Sequence, residues 1–135
     1  EARGFFDEVL ALRPDDPVFL ANYGLCLEML DDHAGAVEAY RSSLDLQEDA
    51  QVLFQLGRAT CLGGDAERGV QMMWQSSSVV MITAREAGDL GLCLELSGRP
   101  DQAVPYLEQG LRANPDNLDL VHSLERASAW TVTVE

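Results

Sequence analysis

Apolar positions along the chain recur at helical spacing. Val18, Tyr23, Leu27 and Leu30 fall on one face, and so do Val37, Tyr40 and Leu44, which is the pattern of amphipathic helices rather than of alternating strands. The pattern itself repeats. Three glycines stand behind a large or apolar residue, in Tyr23-Gly24, Leu56-Gly57 and Leu90-Gly91, at spacings of 33 and 34 residues. A second small residue keeps step at Ala2, Ala36, Gly69 and Ala103. Four residues after each comes a large apolar side chain: Phe6, Tyr40, Met73 or Leu107. Pro14 and Pro115 lie 101 residues apart, three full periods. Self-similarity at this period marks an array of stacked units. Two helices leave one apolar face uncovered, and the next pair covers it.

The period places helices near 3–12, 17–30, 34–46, 50–62, 66–80, 84–97, 100–113 and 118–129. Asp16-Pro17 reads as an N-cap followed by a proline in the first turn, where a missing N–H costs nothing. Asp49 and Asn117 can cap in the same way. Asp31-Asp32, Gly63-Gly64-Asp65 and Gly98-Arg99-Pro100 break the paired helices. The end of the chain, Thr131-Val132-Thr133-Val134, alternates like a strand and is expected to lie on the array as an ordered or frayed tail.

The first helix of each unit carries Leu20-x2-Tyr23-Gly24-x2-Leu27, Leu53-x2-Leu56-Gly57-x2-Thr60 or Ala87-x2-Leu90-Gly91-x2-Leu94. With the small residue, the apolar residue four places on and the proline, the chain resembles the tetratricopeptide repeat (TPR) family over nearly its whole length. The resemblance implies an all-α, right-handed α-solenoid of helix-turn-helix repeats forming a single domain. Repeats would cover 17–49, 50–83 and 84–117. Residues 1–16 would be the second half of an earlier repeat, and 118–135 a capping helix and tail. Ala87 is small where the family prefers bulk, Thr60 is polar where an aromatic is usual, and Gly69 replaces the commoner Ala. The middle repeat is therefore the least regular.

The resemblance also implies a concave groove lined by the first helix of each repeat. Its register carries over to Val18, Ala21, Leu25, Glu28 and Met29 in the first repeat. In the second it falls on Gln51, Phe54, Arg58, Cys61 and Leu62, and in the third on Arg85, Gly88, Leu92, Glu95 and Leu96. Helical geometry agrees for the first helix, where Val18, Ala21, Leu25 and Met29 share a stripe distinct from Leu20, Tyr23 and Leu27. A helix apolar on two faces in a one-layer array suits binding of a segment with apolar anchors, with Arg58 and Arg85 as polar anchors. Where TPR co-chaperones clamp a terminal carboxylate, this chain has Ala21, Leu25, Gln55, Arg85 and Asp89. Only Arg85 conforms, so an acidic tail is a poor ligand.

Charge narrows the partners further. The 135 residues carry 23 acidic and 9 basic side chains, a formal net charge of −14, and every basic one is arginine. Such a surface repels phosphate backbones and anionic membranes, so neither nucleic acid nor a bilayer is an expected partner. A basic or apolar protein segment is, and a homo-oligomer is compatible with an outward-facing Trp74. The absence of lysine and the single isoleucine, Ile82, point to a GC-rich, bacterial coding sequence. The chain starts at Glu1 rather than at a methionine and is read as a fragment.

Catalytic chemistry is not legible. His33 and His122 fall far apart, and HExxH, GxGxxG and GxSxG motifs do not occur. Gly63-Gly64-Asp65 lacks the preceding strand of a phosphate loop. The acidic residues sit at turns and helix starts as caps and offer no calcium-loop spacing. No cofactor or metal is expected. Three cysteines without a CxxC fit a reducing compartment, here the cytoplasm, rather than a disulfide framework. Cys26 and Cys93, in one register two repeats apart, are expected to be buried and unbridged, and Cys61 to line the groove. The reading is a non-enzymatic protein-interaction module. A small acidic array of this kind is also similar to type III secretion chaperones that hold hydrophobic translocators, and a regulatory region of a larger enzyme is a third reading.

Overall fold

The computed structural model describes residues 4, 7–8, 11–12, 15–79 and 81–134, the last four as backbone only. The described residues before Asp15, namely Gly4, Asp7, Glu8, Ala11 and Leu12, are all helical. The sequence markers Ala2, Phe6 and Pro14 lie outside the described residues. Seven further helices follow. They are α1 (Pro17–Met29), α2 (His33–Leu46), α3 (Ala50–Leu62), α4 (Ala66–Ser77), α5 (Ala84–Leu96), α6 (Pro100–Ala113) and α7 (Leu118–Val134). Among the described residues there is no strand, and no helix is long and apolar enough to cross a membrane. The array is an all-α solenoid in which α1 packs on α2, α3 on α4 and α5 on α6, each pair stacks on the next, and α7 lies against α5 and α6.

Capping residues fix where each helix begins. Asp16, Asp32, Asp49 and Asp65 each accept a hydrogen bond from a backbone N–H in the first turn of the following helix, at 2.8–3.3 Å, and Asn117 does the same for Leu120 at 3.3 Å. Thr83 and Glu86 form a reciprocal capping box at the start of α5. Arg99 makes no side-chain cap, and α6 instead starts with Pro100 in its first turn. The turns inside the pairs share one backbone device. Asp31, Gly64 and Gly98 all adopt positive φ, at 60°, 119° and 87°. Asp31 thus takes a left-handed conformation that the other two pairs assign to glycine.

The core divides around α3. Val52, Leu56 and Ala59 pack with Leu27, Ala36, Ala39 and Tyr40. Phe54 and Cys61, on the other side of the same helix, pack with Val70, Met73, Leu90, Leu94 and Leu107. Leu120 and Ala127 of α7 complete this second cluster. Two buried serines tie the second helix of a pair to the start of the first. Ser43 donates to the Pro17 carbonyl at 2.7 Å, and Ser76 donates to the Ala50 carbonyl at 2.6 Å. Outside the core, Arg99 lies over the Trp74 ring, 5.6 Å from its centre, and holds Glu67 with two hydrogen bonds at 3.0 and 2.7 Å. That contact joins α4 to the turn before α6.

Two expectations from the sequence are corrected here. The last helix does not stop near residue 129 with a tail beyond it, because α7 continues to Val134. Runs of β-branched residues lower helix propensity by only a few tenths of a kcal/mol each, and propagation from an established helix outweighs this. The cysteines are also arranged differently. Cys26 is exposed and free, while Cys61 and Cys93 are joined by a disulfide with their Cα atoms 6.0 Å apart. Cys26 and Cys93 share a register but sit two pairs apart, farther than the Cα separation of about 4.4–6.8 Å that a bridge requires. Cys61 is on the neighbouring pair, one helix away.

Gly57 and Gly69 mark the closest crossing of α3 and α4. A Cβ built on Gly57 would lie 2.7 Å from the Gly69 carbonyl oxygen and 2.8 Å from Met73 Cγ. Gly57→Ala would gain about 1 kcal/mol of helix propensity yet have to displace backbone, so the clash decides the sign. We expect a net loss of about 1–3 kcal/mol in urea denaturation, and a neutral or stabilised variant would contradict this crossing. Ser43→Ala and Ser76→Ala each remove one buried hydrogen bond and are expected to cost about 1 kcal/mol in the same measurement.

Candidate functional site

The first helices of the three pairs, α1, α3 and α5, lie side by side and form one wall of the array. Between them lies a cavity of about 740 Å³. From α1 it is lined by Leu25, Glu28 and Met29, and from α3 by Gln51, Gln55 and Arg58. The loop before α5 and α5 itself add Met81, Thr83, Arg85, Glu86 and Asp89. A smaller recess of about 190 Å³, between the starts of α1 and α3, includes Val18, Ala21 and Leu25.

A chain of polar contacts crosses the floor. Tyr40, from α2, donates its hydroxyl to Glu28 in a short hydrogen bond. Glu28 accepts from Arg58 Nε at 3.0 Å and from Nη2 at 2.8 Å, a two-point grip that matches the planar guanidinium to the carboxylate. The Nη1 of Arg58 reaches Asp89 at 3.3 Å. One side chain from each groove helix is thus linked through a single guanidinium. The side chains are mostly withdrawn from water, at 11% exposure for Glu28, 19% for Arg58 and 29% for Asp89. Burial, and then the hydrogen bond to Glu28, push the Tyr40 hydroxyl well above its ordinary pKa. Burial alone would lower that of Arg58, but the bonds and charges of Glu28 and Asp89 raise it. Burial raises the Asp89 carboxyl, and the charge of Arg58 opposes this in part.

Closer to the mouth, Gln51 donates to Glu86 in a short hydrogen bond. The carboxyl of Glu86 is pushed up by burial, but the hydrogen bonds from Thr83 and Gln51 turn the net shift downward. Arg85 is exposed and makes no hydrogen bond or ion pair among the described residues. The rim is apolar, with Met29 85% and Met81 95% exposed. Among the described residues, no three His, Cys, Asp or Glu side chains gather as a metal site.

Leu25, Glu28, Met29, Gln51, Arg58 and Arg85, expected from the sequence to line the groove, all border the large cavity. Val18 and Ala21 border the recess. The others are elsewhere. Phe54 is 1% exposed inside the core, in the cluster that holds Val70, Met73, Leu90 and Leu94, on the side of α3 that packs against its neighbours. Cys61 is buried in its disulfide. Leu62 borders a different cavity, with His33, Arg41 and Arg68, on the side of α2 and α4. Gly88 is buried where α5 meets Gly110 and Leu120, and Leu92 is half-buried against the core. Glu95 is taken by α7, accepting from Ser123 at 3.0 Å and from Arg126 at 2.6 and 3.0 Å. Leu96 is half exposed at the end of α5. Arg58 is no free anchor either, since both sides of its guanidinium are occupied.

Gln55 and Asp89, which the sequence sets at the clamp positions but not among the expected groove residues, also line the cavity, and Glu86 joins them. Gln55 and Asp89 follow Gln51 and Arg85 by one turn, so the i, i+4 spacing carries the signal for both. Met81 and Thr83 come from the connection between α4 and α5, which a helix register does not cover.

Two family models described as tetratricopeptide repeat match residues 1–52 and 88–117, together more than half of the chain. The stretch between them holds most of the irregular middle unit. The fold is similar to that of MamA, with a TM-score of 0.72 at 18% identity over 93% of this chain and 74% of that one. It is also similar to a chain of the APC/C hetero-tetramer Cut9–Hcn1, with a TM-score of 0.71 at 19% identity over 93% and 26% of the two chains. PilF of Pseudomonas aeruginosa gives 0.67 at 21% identity over 95% and 59%. At these identities the likeness speaks for the fold alone. No curated protein matches the chain in sequence. The family matches, the stacked helix pairs and the glycine crossings agree, and the chain belongs to the tetratricopeptide repeat family.

Proposed function

We propose that this chain is a non-enzymatic protein-interaction module that takes an extended or helical segment with apolar anchors into the cavity between α1, α3 and α5. The observation that carries the reading is the pairing of an apolar rim with a floor whose charges already satisfy one another. Leu25, Met29 and Met81 offer apolar surface, and the thioethers adapt to differently shaped side chains. Glu28, Arg58 and Asp89 are matched internally, so a ligand gains little by competing for Arg58. Glu86 and Arg85 set one negative and one positive charge at the mouth, in a chain of net charge −14, and Arg85 makes no hydrogen bond or ion pair among the described residues. Such a field steers a segment in which apolar residues neighbour Arg or Lys. A chaperone role toward a hydrophobic client is a narrower form of the same activity, and the exposed Met29 and Met81 favour it.

Peptide display against the purified chain tests this. Enriched sequences are expected to combine two or more apolar side chains with a basic neighbour. Leu25→Asp with Met29→Asp should weaken the selected peptides at least about tenfold, given about 1.5–3 kcal/mol per fully buried aliphatic contact, with the helical circular dichroism signal intact. Phe54 is unsuited to this test because its loss would damage the core. Selection of acidic peptides, or affinity untouched by the double variant, would sink the groove assignment.

A further inference from the structure

The first helices of successive units are tied to each other at one repeating position. Glu28, Cys61 and Glu95 are equivalent, at spacings of 33 and 34 residues. Glu28 holds Arg58 of the next first helix, and Glu95 holds Arg126 of α7. Between them, where α3 meets α5, the tie is covalent: Cys61 to Cys93. The covalent tie falls at the junction with the longest connection, residues 78–83 between α4 and α5, where Val79 and Met81 are 74% and 95% exposed rather than packed. Both cysteines are nearly inaccessible, at 3% and 0% exposure, and both belong to the core cluster shared by the two units.

We propose that Cys61 and Cys93 form a redox-dependent lock between the second and third helix pairs, closed in an oxidising compartment, that fixes α5 against α3. Closing it is a thiol–disulfide exchange with a small disulfide such as oxidised glutathione. One cysteine thiolate attacks that disulfide and expels one thiol, and the second cysteine then attacks the mixed disulfide and expels the other. Two protons and two electrons leave the protein, and the small disulfide leaves as two thiols. Because the paired sulfurs are buried, exchange takes place while α5 is separated from α3, and the packed array then shields the bond from reductant. The exposed Cys26 on α1 remains a free thiol. A closed lock weighs against the reducing compartment that cysteine usage alone suggests. The proposal does not depend on what the groove binds.

The test uses the full chain carrying Cys26→Ser, so that only the pair remains. After refolding with oxidised glutathione, the protein is labelled with N-ethylmaleimide in denaturant without reductant, and intact mass is measured. No adducts are expected, and two after dithiothreitol; two adducts without reductant would overturn the bridge. Hydrogen exchange of the oxidised and reduced forms then reads the lock. Reduction should lower protection in α5 at least about tenfold while leaving α2 unchanged. Equal protection in both forms, or a loss spread evenly into α2, would refute a local lock. Cys61→Ala with Cys93→Ala should reproduce the reduced pattern and, having no thiols, separates loss of the bond from side reactions of the free cysteines.

Discussion

The backbone of α3 touches the backbone of α4 at Gly57 and Gly69, and the rest of the array depends on that approach. A Cβ on Gly69 would lie 2.4 Å from the Gly57 carbonyl oxygen, so neither position has room for a side chain. The separation of the two helices is therefore set by main-chain atoms and does not adjust to the size of a neighbour. Gly91 repeats the device in the third pair, where an added Cβ would meet the Leu107 amide nitrogen at 2.8 Å. In the first pair the space beside Gly24 is filled by the Tyr40 ring instead. The difference matters, because it brings the Tyr40 hydroxyl to Glu28. One small residue in α1 thus admits an aromatic ring, and that ring positions the carboxylate that holds Arg58.

The polar floor of the groove follows from this packing. A buried carboxylate or guanidinium is costly unless paired, and here the pairing partners come from three successive units. Glu28, Arg58 and Asp89 neutralise one another to within one charge, with the tyrosine as an added donor. The groove is polar at its base, yet the surface it leaves open is mainly the apolar rim, the amides of Gln51 and Gln55, and Arg85. The chain as a whole carries an excess of carboxylates, of which Asp16, Asp32, Asp49 and Asp65 cap helices.

Much of the fold was legible because it rests on spacing. The glycine and small-residue periods located the helix pairs, and Asp16, Asp49 and Asn117 were recognisable as caps from their place before a helix start. The groove was legible only where the face of a helix could be counted. Leu25 and Met29 follow from the α1 stripe, but Phe54 and Cys61 were misplaced. In α3, apolar residues fill the sides facing both neighbours, so periodicity alone does not separate core from groove. The salt bridge from Arg58 was hidden for a different reason. Its partners lie 30 and 31 residues away on other helices, and no local pattern encodes which of two nearby carboxylates a guanidinium will choose. The disulfide was missed because equivalence of register was used to find cysteine partners, whereas Cys61 and Cys93 meet from positions offset by two residues in the repeat.

Repeat arrays are commonly described by terms that act only between neighbours, so that an end unit can fray while the rest persists. Arg58 is where two such terms meet. It contacts α1 on one side and α5 on the other, so melting of the first pair strips a partly buried cation of its two-point carboxylate and leaves it with Asp89 alone. Melting of the third pair removes Asp89 and leaves the grip of Glu28 intact. The two ends of the array are therefore held unequally by one guanidinium: fraying from the α1 side costs the middle unit its stronger ion pair, and fraying from the α5 side only the weaker one.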